Sequence, residues 1–237
     1  MNILKWVVRI SVILGVFILV LLGIAAAMVL SADEEASAIL EESYVQVEGR
    51  VIVLEPDEAV MNLVFYQGGL VQTEAYLIML NALREAGIRV FIPKMPLQLA
   101  ILNQNAIEHI YNTYPSDLPW VAMGHSLGGA TLSFVADERL DALIFLAAYP
   151  ANSVDLSEAD FNVLSITASN DEVLDWERFE NTKPLLPNST IFYNIEGGNH
   201  ANFGHYGAQR GDGESSITKE EQIEETVSVI LGFLGID

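Results

Sequence analysis

The chain has 237 residues, a formal net charge of −21 at pH 7 and a hydrophobic fraction of 51%. A protein this acidic repels the phosphates of nucleic acids and of anionic lipids, which argues against nucleic acid as a partner. The chain contains no cysteine, which excludes a disulfide framework and a cysteine nucleophile.

The first element is an apolar segment at residues 10–30 that carries no charge, with Lys5 and Arg9 before it. A segment of this length can span a bilayer as a helix, and the positive charges before it predict a cytoplasmic N-terminus. We therefore expect residues 1–32 to anchor the protein in the cell membrane by a single pass, with the rest of the chain extracytoplasmic. The alternative is a secretory signal cleaved at the small residues 25–27, which would release the rest of the chain.

Beyond a short acidic spacer at residues 33–43, the pattern predicts one domain over residues 44–237. Strands alternate with helices, which is typical of an α/β fold with a doubly wound, mostly parallel sheet and helices on both faces. In chain order the predicted elements are a hairpin at 44–54, a strand at 61–66, a helix from Thr73 to Gly87, a strand at 89–93, a helix at 97–114, a strand leading into residue 124, a helix at 127–136, strands at 142–148, 163–167 and 190–195, and a terminal helix opened by the capping box Thr218-Lys219-Glu220-Glu221.

The segment Gly124-His125-Ser126-Leu127-Gly128 lies between an apolar strand and a helix that opens on small residues. This context is typical of a nucleophile elbow, in which a strained serine exposes its hydroxyl and the flanking glycines leave room for neighbouring backbone. N–H groups of the following helix would stabilise negative charge beside the serine. The motif predicts Ser126 as a nucleophile, and the alternative is a simple tight turn.

A serine nucleophile needs a base to take its proton, and the base needs a carboxylate to orient it. Asp171 is the predicted acid, because it follows the strand at 163–167 in a polar turn and comes between the serine and the last histidines. Glu172 is its nearest rival, and Asp175 is expected in the next helix. The alternative role for Asp171 is an Asx turn or a helix cap.

Four histidines compete for the role of the base. His200 is the predicted base, because it follows the final strand in a loop that can bring an imidazole over Ser126. His205 is its competitor. His109 lies in a helical pattern and is expected to be a surface or boundary residue, and His125 is expected to point away from the serine.

From residue 64 to the end, the chain resembles the α/β-hydrolases, and in particular small bacterial members without a cap. The resemblance rests on the elbow and on four further stretches, namely Gly68-Gly69 with Glu74-Ala75-Tyr76, Lys94-Met95-Pro96, Ser169-Asn170-Asp171-Glu172-Val173, and the residues from Gly197 to Gly204. It implies an acyl hydrolase with the triad Ser126, Asp171 and His200, which needs no metal and no cofactor.

Two backbone N–H groups are expected to bind the oxyanion of such an enzyme. One is that of Leu127, and the other comes from the glycine turn after Tyr66, with Gly69 favoured and Leu70 as the alternative. The chain departs here from the commonest form of the fold, because Gln67 stands where a histidine is usual. Lys94 and its neighbour Met95 either line the pocket or belong to a solvated loop.

The predicted activity is hydrolysis of small carboxylic esters through an acyl-enzyme. Residues 151–161 are too few to form a lid between two strands, so the pocket should be shallow and short acyl chains should be preferred. The alternatives are a peptidase or an acyltransferase with the same triad, or a catalytically silent binding domain that kept the fold.

Overall fold

The computed structural model describes residues 6, 10, 23 and 27–236. Eight strands within this part of the chain form one sheet. Their bounds are Val45–Glu48 (β1), Val51–Leu54 (β2), Met61–Tyr66 (β3), Ile88–Pro93 (β4), Trp120–His125 (β5), Ala142–Leu146 (β6), Asn162–Ala168 (β7) and Ile191–Ile195 (β8).

The strands lie in the order β1-β2-β4-β3-β5-β6-β7-β8. β1 and β2 form the predicted hairpin, and β2 runs antiparallel to β4. All the other neighbours are parallel. The carboxyl ends of β3, β5, β7 and β8 therefore lie at one edge of the sheet, and the turns that carry the predicted site residues follow those ends.

Helices cover both faces of the sheet, which confirms the predicted doubly wound α/β fold. Their bounds are Glu34–Ala38 (α1), Leu77–Glu85 (α2), Ala106–Thr113 (α3), Leu127–Leu132 (α4), Trp176–Thr182 (α5) and Lys219–Leu234 (α6). The longest of them, α6, begins with the predicted capping box, in which Thr218 accepts the N–H of Glu221 and the Glu221 side chain accepts the N–H of Thr218.

The central strands are apolar on both faces because each face packs against helices. In β3, Leu63 and Phe65 belong to the core layer beneath α2 and α6, whereas Val64 and Tyr66 belong to the layer beneath α3 and α4. Alternate residues of one strand thus bury their side chains in opposite layers, which explains the continuous apolar run in the sequence.

The predicted helix at 97–114 is shorter than expected. Two short 3₁₀ turns, Pro96–Gln98 and Ala100–Asn103, come first, and α3 begins only at Ala106. Leu97 and Gln98 have positive φ angles of 52° and 57°, which a helix cannot contain. Tertiary contacts override helix propensity at this point, because the C=O of Gln98 accepts a hydrogen bond from the N–H of Leu70 at 2.8 Å.

Residues just before β1 pack against the sheet domain. Leu30 forms a β-bridge with Val71 and exchanges backbone hydrogen bonds with Leu70 and Gln72. Asp33 caps α1, and within that helix Ala36 is fully buried. This stretch, part of which was predicted to be a spacer, therefore has backbone and side-chain contacts with the domain.

The predicted membrane localisation is wrong. Among residues 6, 10, 23 and 27–236, no helix combines the length and the apolar character needed to cross a bilayer. The longest described helix, α6, has 16 residues and carries several glutamates, whereas a span needs about 20 mostly apolar residues. Most of the segment at 10–30, on which the single-pass anchor and its extracytoplasmic domain were predicted, lies outside the described residues.

Candidate active site

Ser126 lies in a sharp turn between β5 and α4. Its backbone angles are φ 50° and ψ −121°, an unusual conformation for a residue with a side chain. The two glycines of the motif permit close packing around it. A Cβ at Gly128 would lie 2.2 Å from the carbonyl oxygen of Tyr66, and one at Gly124 would lie 2.5 Å from the backbone nitrogen of Gly129. No side chain fits at either position.

Asp171 and His200 form a buried pair. Nδ1 of His200 lies 2.7 Å from Oδ2 of Asp171, and both side chains are almost completely shielded from solvent. The other carboxylate oxygen of Asp171 accepts the backbone N–H groups of Val173 and Leu174 at 2.8 and 2.7 Å. These bonds fix the carboxylate and, through it, the tautomer and the orientation of the imidazole.

The two rivals of Asp171 have other roles. Glu172 is exposed. Asp175 caps α5 by accepting the N–H of Arg178 at 3.1 Å, and its side chain is about half exposed. Neither carboxylate is hydrogen-bonded to His200, so the structure brings only Asp171 to the predicted base.

The loop that carries His200 is held by a carboxylate that the sequence analysis missed. Oδ2 of Asp212 accepts the N–H of Ala201 at 2.8 Å, and Oδ1 is 3.3 Å from the N–H of His200. Asp212 lies in an irregular glycine-rich stretch without periodicity. No local pattern in the sequence therefore pointed to it.

The competing histidine, His205, faces a different carboxylate. Its Nδ1 lies 3.1 Å from Oδ2 of Asp33, which also contacts the ammonium of Lys219 at 3.3 Å. His205 is buried but is not among the residues that line the cavity beside Ser126. His109 is exposed on α3, as predicted.

His125, the elbow residue directly before Ser126, packs against the predicted base. Its ring centroid is 4.6 Å from that of His200, and its Nδ1 is 2.8 Å from the hydroxyl of Tyr76. Complete burial, and secondarily the neighbouring His200, hold the pKa of His125 well below its usual value of 6.5. His125 is therefore neutral at pH 7.

The two residues predicted to supply the oxyanion donors, Gly69 and Leu127, are in close contact. A Cβ at Gly69 would be 3.0 Å from the Leu127 side chain, so the glycine turn after β3 packs directly against the start of α4. Neither the N–H of Gly69 nor that of Leu127 has an acceptor among the described residues, whereas the N–H of Leu70 donates to the C=O of Gln98. Of the two alternatives in that turn, only Gly69 has a free N–H.

Ser126 and His200 border the same cavity, whose volume is about 260 Å³. Its other walls are mainly small or apolar and come from Leu127, Ala130, Ala147, Ala148, Tyr149, Val173, Leu174 and Asp175. No hydrogen bond joins the two side chains here, although such bonds often form only when substrate is bound. The structure thus brings Asp171 to His200, and His200 to the cavity that Ser126 borders.

Residues 147–161, which connect β6 to β7, contain neither helix nor strand, and of this stretch Ala147, Ala148 and Tyr149 line the cavity. Lys94 does not line it, since its ammonium pairs with Glu74 at 2.8 Å. In the part of the chain that the structure describes, no group of three or more histidine, cysteine, aspartate or glutamate residues is arranged to hold a metal ion.

Comparison with known proteins decides the family. Residues 62–224, which are more than half of the chain, match the family model described as "Alpha/beta hydrolase family". The chain belongs to the alpha/beta hydrolase family. This confirms the family and the hydrolase class predicted from the elbow and from the segment around His200. No curated protein matches the chain.

Solved structures share the fold at low sequence identity. An alpha/beta hydrolase enzyme from a sediment metagenome of the Mar Chica lagoon, MGS-MChE2, has 18% identity over 81% of this chain and 98% of its own, with a TM-score of 0.62. Est1E from Butyrivibrio proteoclasticus has 14% identity over 81% and 98%, at 0.56. The thermophilic esterase Est2 from Thermogutta terrifontis has 12% identity over 81% and 92%, at 0.56. At such identities these likenesses concern the fold alone.

Proposed function

We propose that this alpha/beta hydrolase is a serine esterase that cleaves small carboxylic esters through an acyl-enzyme on Ser126. The proposal rests on the position of His200. Its Nδ1 lies 2.7 Å from Oδ2 of Asp171, and the residue also borders the cavity beside the strained Ser126. This is the arrangement that a weak hydroxyl nucleophile needs.

In the first half of the reaction, Oγ of Ser126 attacks the ester carbonyl and its proton passes to Nε2 of His200. Asp171 stays ionised and stabilises the imidazolium through Nδ1. The N–H groups of Leu127 and Gly69 hold the negative charge that develops on the carbonyl oxygen. The C–O bond of the ester then breaks, and His200 returns the proton to the leaving alcohol.

In the second half, a water molecule attacks the acyl-enzyme while His200 takes one of its protons. The tetrahedral intermediate collapses, the carboxylic acid leaves and Ser126 regains its proton. The stretch at residues 147–161 supports this step, because it contains no helix or strand that could form a lid over the cavity and exclude water.

The lack of a lid in residues 147–161 also limits the length of the acyl chain. Each methylene contributes about 0.8 kcal/mol, or about fourfold in rate, only if it is buried. A cavity of about 260 Å³ with small alanine walls and no lid can bury a short chain and leaves a longer one in water. The preferred acyl groups are therefore acetyl to butyryl.

A series of 4-nitrophenyl esters from acetyl to decanoyl tests both statements. We expect kcat/KM to peak between acetyl and butyryl, and Ser126→Ala to abolish hydrolysis and labelling by a fluorophosphonate. Ser165→Ala is the matched control, because this serine is buried in β7 away from the cavity. Full activity of Ser126→Ala would refute the nucleophile, and a steady rise to decanoyl esters would refute the small pocket.

A further inference from the structure

One buried hydroxyl connects the glycine turn to the elbow. The oxygen of Tyr76 lies 3.1 Å from the backbone nitrogen of Gly68 and 2.8 Å from Nδ1 of His125. All three residues are buried, and Tyr76 is completely inaccessible to solvent. A Cβ at Gly68 would lie only 2.7 Å from Nδ1 of His125 and 2.8 Å from the tyrosine oxygen, so the three groups are in close contact.

The direction of each hydrogen bond follows from the donors available. The N–H of Gly68 can only donate, so the oxygen of Tyr76 accepts from it. Among the described residues, Nδ1 of His125 is the one acceptor within hydrogen-bond distance of that oxygen, so we assign the tyrosine proton to this bond. Burial raises the pKa of the Tyr76 phenol and lowers the pKa of His125, so both groups are neutral. With the tyrosine proton assigned to Nδ1, the single proton of a neutral His125 is on Nε2.

These contacts act on the turn at the place where an oxyanion donor is needed. In the glycine turn, the N–H of Gly68 donates to the hydroxyl oxygen of Tyr76 and the N–H of Leu70 donates to the C=O of Gln98. The peptide units on either side of Gly69 are thereby fixed, and the N–H of Gly69 is the one left free beside Leu127. On its other side, Tyr76 holds the residue that directly precedes Ser126.

We propose that Tyr76 is a positioning residue that aligns the oxyanion-binding turn with the nucleophile elbow, so that Gly69 and Leu127 donate to the same oxygen. This inference rests on the proposed function, because it assigns to Tyr76 an effect on the transition state of that reaction. Donors act there only when they lie within hydrogen-bond distance of the developing oxyanion. A turn released from Tyr76 would still bind the substrate but would stabilise its transition state less well.

The test compares two buried tyrosines. Tyr76→Phe removes the hydroxyl at the site. Tyr66→Phe is the matched control, because the hydroxyl of Tyr66 also makes two hydrogen bonds, to the C=O of Gln104 and from the N–H of Ile107, in the core layer beneath α3. The readouts are kcat and KM for 4-nitrophenyl acetate, and the inhibition constant of a trifluoromethyl ketone, whose adduct with a serine carries an oxyanion.

For Tyr76→Phe we expect kcat to fall about tenfold to a hundredfold with KM changed less than about threefold, and the ketone to bind more weakly by the same factor. For Tyr66→Phe we expect kcat and ketone affinity to stay within about twofold of the unmodified protein. Equal values for the two variants would show that Tyr76 serves stability alone. If the unmodified protein neither hydrolyses the ester nor binds the ketone, the proposed function itself is wrong.

If Tyr76→Phe fails to fold, a second pair of variants at His125 tests the same hydrogen bond from the other side. His125→Leu removes the acceptor of the Tyr76 proton, and we expect a loss of at least about tenfold in kcat and in ketone affinity. His125→Asn offers a carbonyl oxygen as a new acceptor, and we expect it to recover most of that loss. Equal activities for His125→Leu and His125→Asn would overturn the inference.

Discussion

Two histidines of one loop invite comparison. His200 and His205 are five residues apart, both are buried, and each has its Nδ1 close to an aspartate, Asp171 at 2.7 Å and Asp33 at 3.1 Å. Residue type, burial and a neighbouring aspartate therefore do not distinguish the two histidines. Only His200 borders the cavity beside Ser126.

The two aspartates differ more than the histidines do. Asp171 is buried, and one of its oxygens is held by two backbone N–H groups while the other faces His200. Asp33 is partly exposed and shares its charge with Lys219, and it caps α1 as well. A histidine beside a carboxylate is therefore not by itself a sign of catalysis. The sign is a histidine between a shielded, fixed carboxylate and an accessible nucleophile.

The largest expected difference between the pairs appears when each imidazole is removed. His200→Ala should lower kcat for 4-nitrophenyl acetate by several orders of magnitude, because among the described residues His200 is the one imidazole that lines the cavity beside Ser126. His205→Ala should keep kcat within about threefold and should lower stability instead. Steady-state kinetics of the two purified variants measures the difference, and the reverse ranking would assign the base to His205.

Changing the carboxylates tests the same distinction with a smaller expected effect. Asp171→Asn should lower kcat by about a thousandfold or more with little change in KM, since an amide cannot stabilise the imidazolium. Asp33→Asn keeps a side chain that can cap α1, so kcat should change less than about twofold and the free energy of unfolding should fall by less than about 1 kcal/mol. A comparable loss of kcat in both variants would mean that the two pairs act together.

The smallest effect concerns His125, a buried histidine whose ring contacts no carboxylate. Burial, and then His200, lower its pKa in the folded chain, whereas the unfolded chain binds a proton near the usual value of 6.5. Below about pH 6.5 the unfolded state binds more protons, so stability should fall with falling pH by at most about 1.4 kcal/mol per unit.

Urea unfolding at pH 7.5 and pH 5.5 measures this dependence. His125→Asn has no group that titrates in this range at position 125, so its free energy of unfolding should change less between the two pH values. An equal change in both proteins would show that another group is responsible for the loss of stability in acid.

Much of the fold could be predicted because local pattern determines it. Buried strands such as β3 and β5 are mostly apolar, and the capping box at Thr218 is a signal within four residues. The turn around Ser126 could be predicted for the same reason, because the glycines two residues before and after the serine are required where other backbone packs closely. The order Ser126, Asp171, His200 followed from the architecture.

The rest depends on pairings between distant parts of the chain. Leu97 and Gln98 have good helical neighbours in the sequence, and only their contact with the turn near Leu70 breaks the helix. The sequence shows Tyr76 only as part of the stretch Glu74-Ala75-Tyr76, and its hydroxyl lies between Gly68 and His125 only in the folded chain. Nothing near Asp33 in the sequence signalled its contact with His205 across 172 positions.

The bridge between Leu30 and Val71 affects how far the chain can be shortened from its N-terminal side. A shortened chain that began at residue 44 would lose the N–H and C=O of Leu30 that satisfy Leu70 and Gln72. It would also lose Asp33, whose N–H donates to the C=O of His205. The edge of the turn beside Gly69 would then be left unpaired and open to another strand. We therefore expect a shortened form that begins at or before Leu30, well before the first strand of the sheet, to be more stable than one that begins at residue 44.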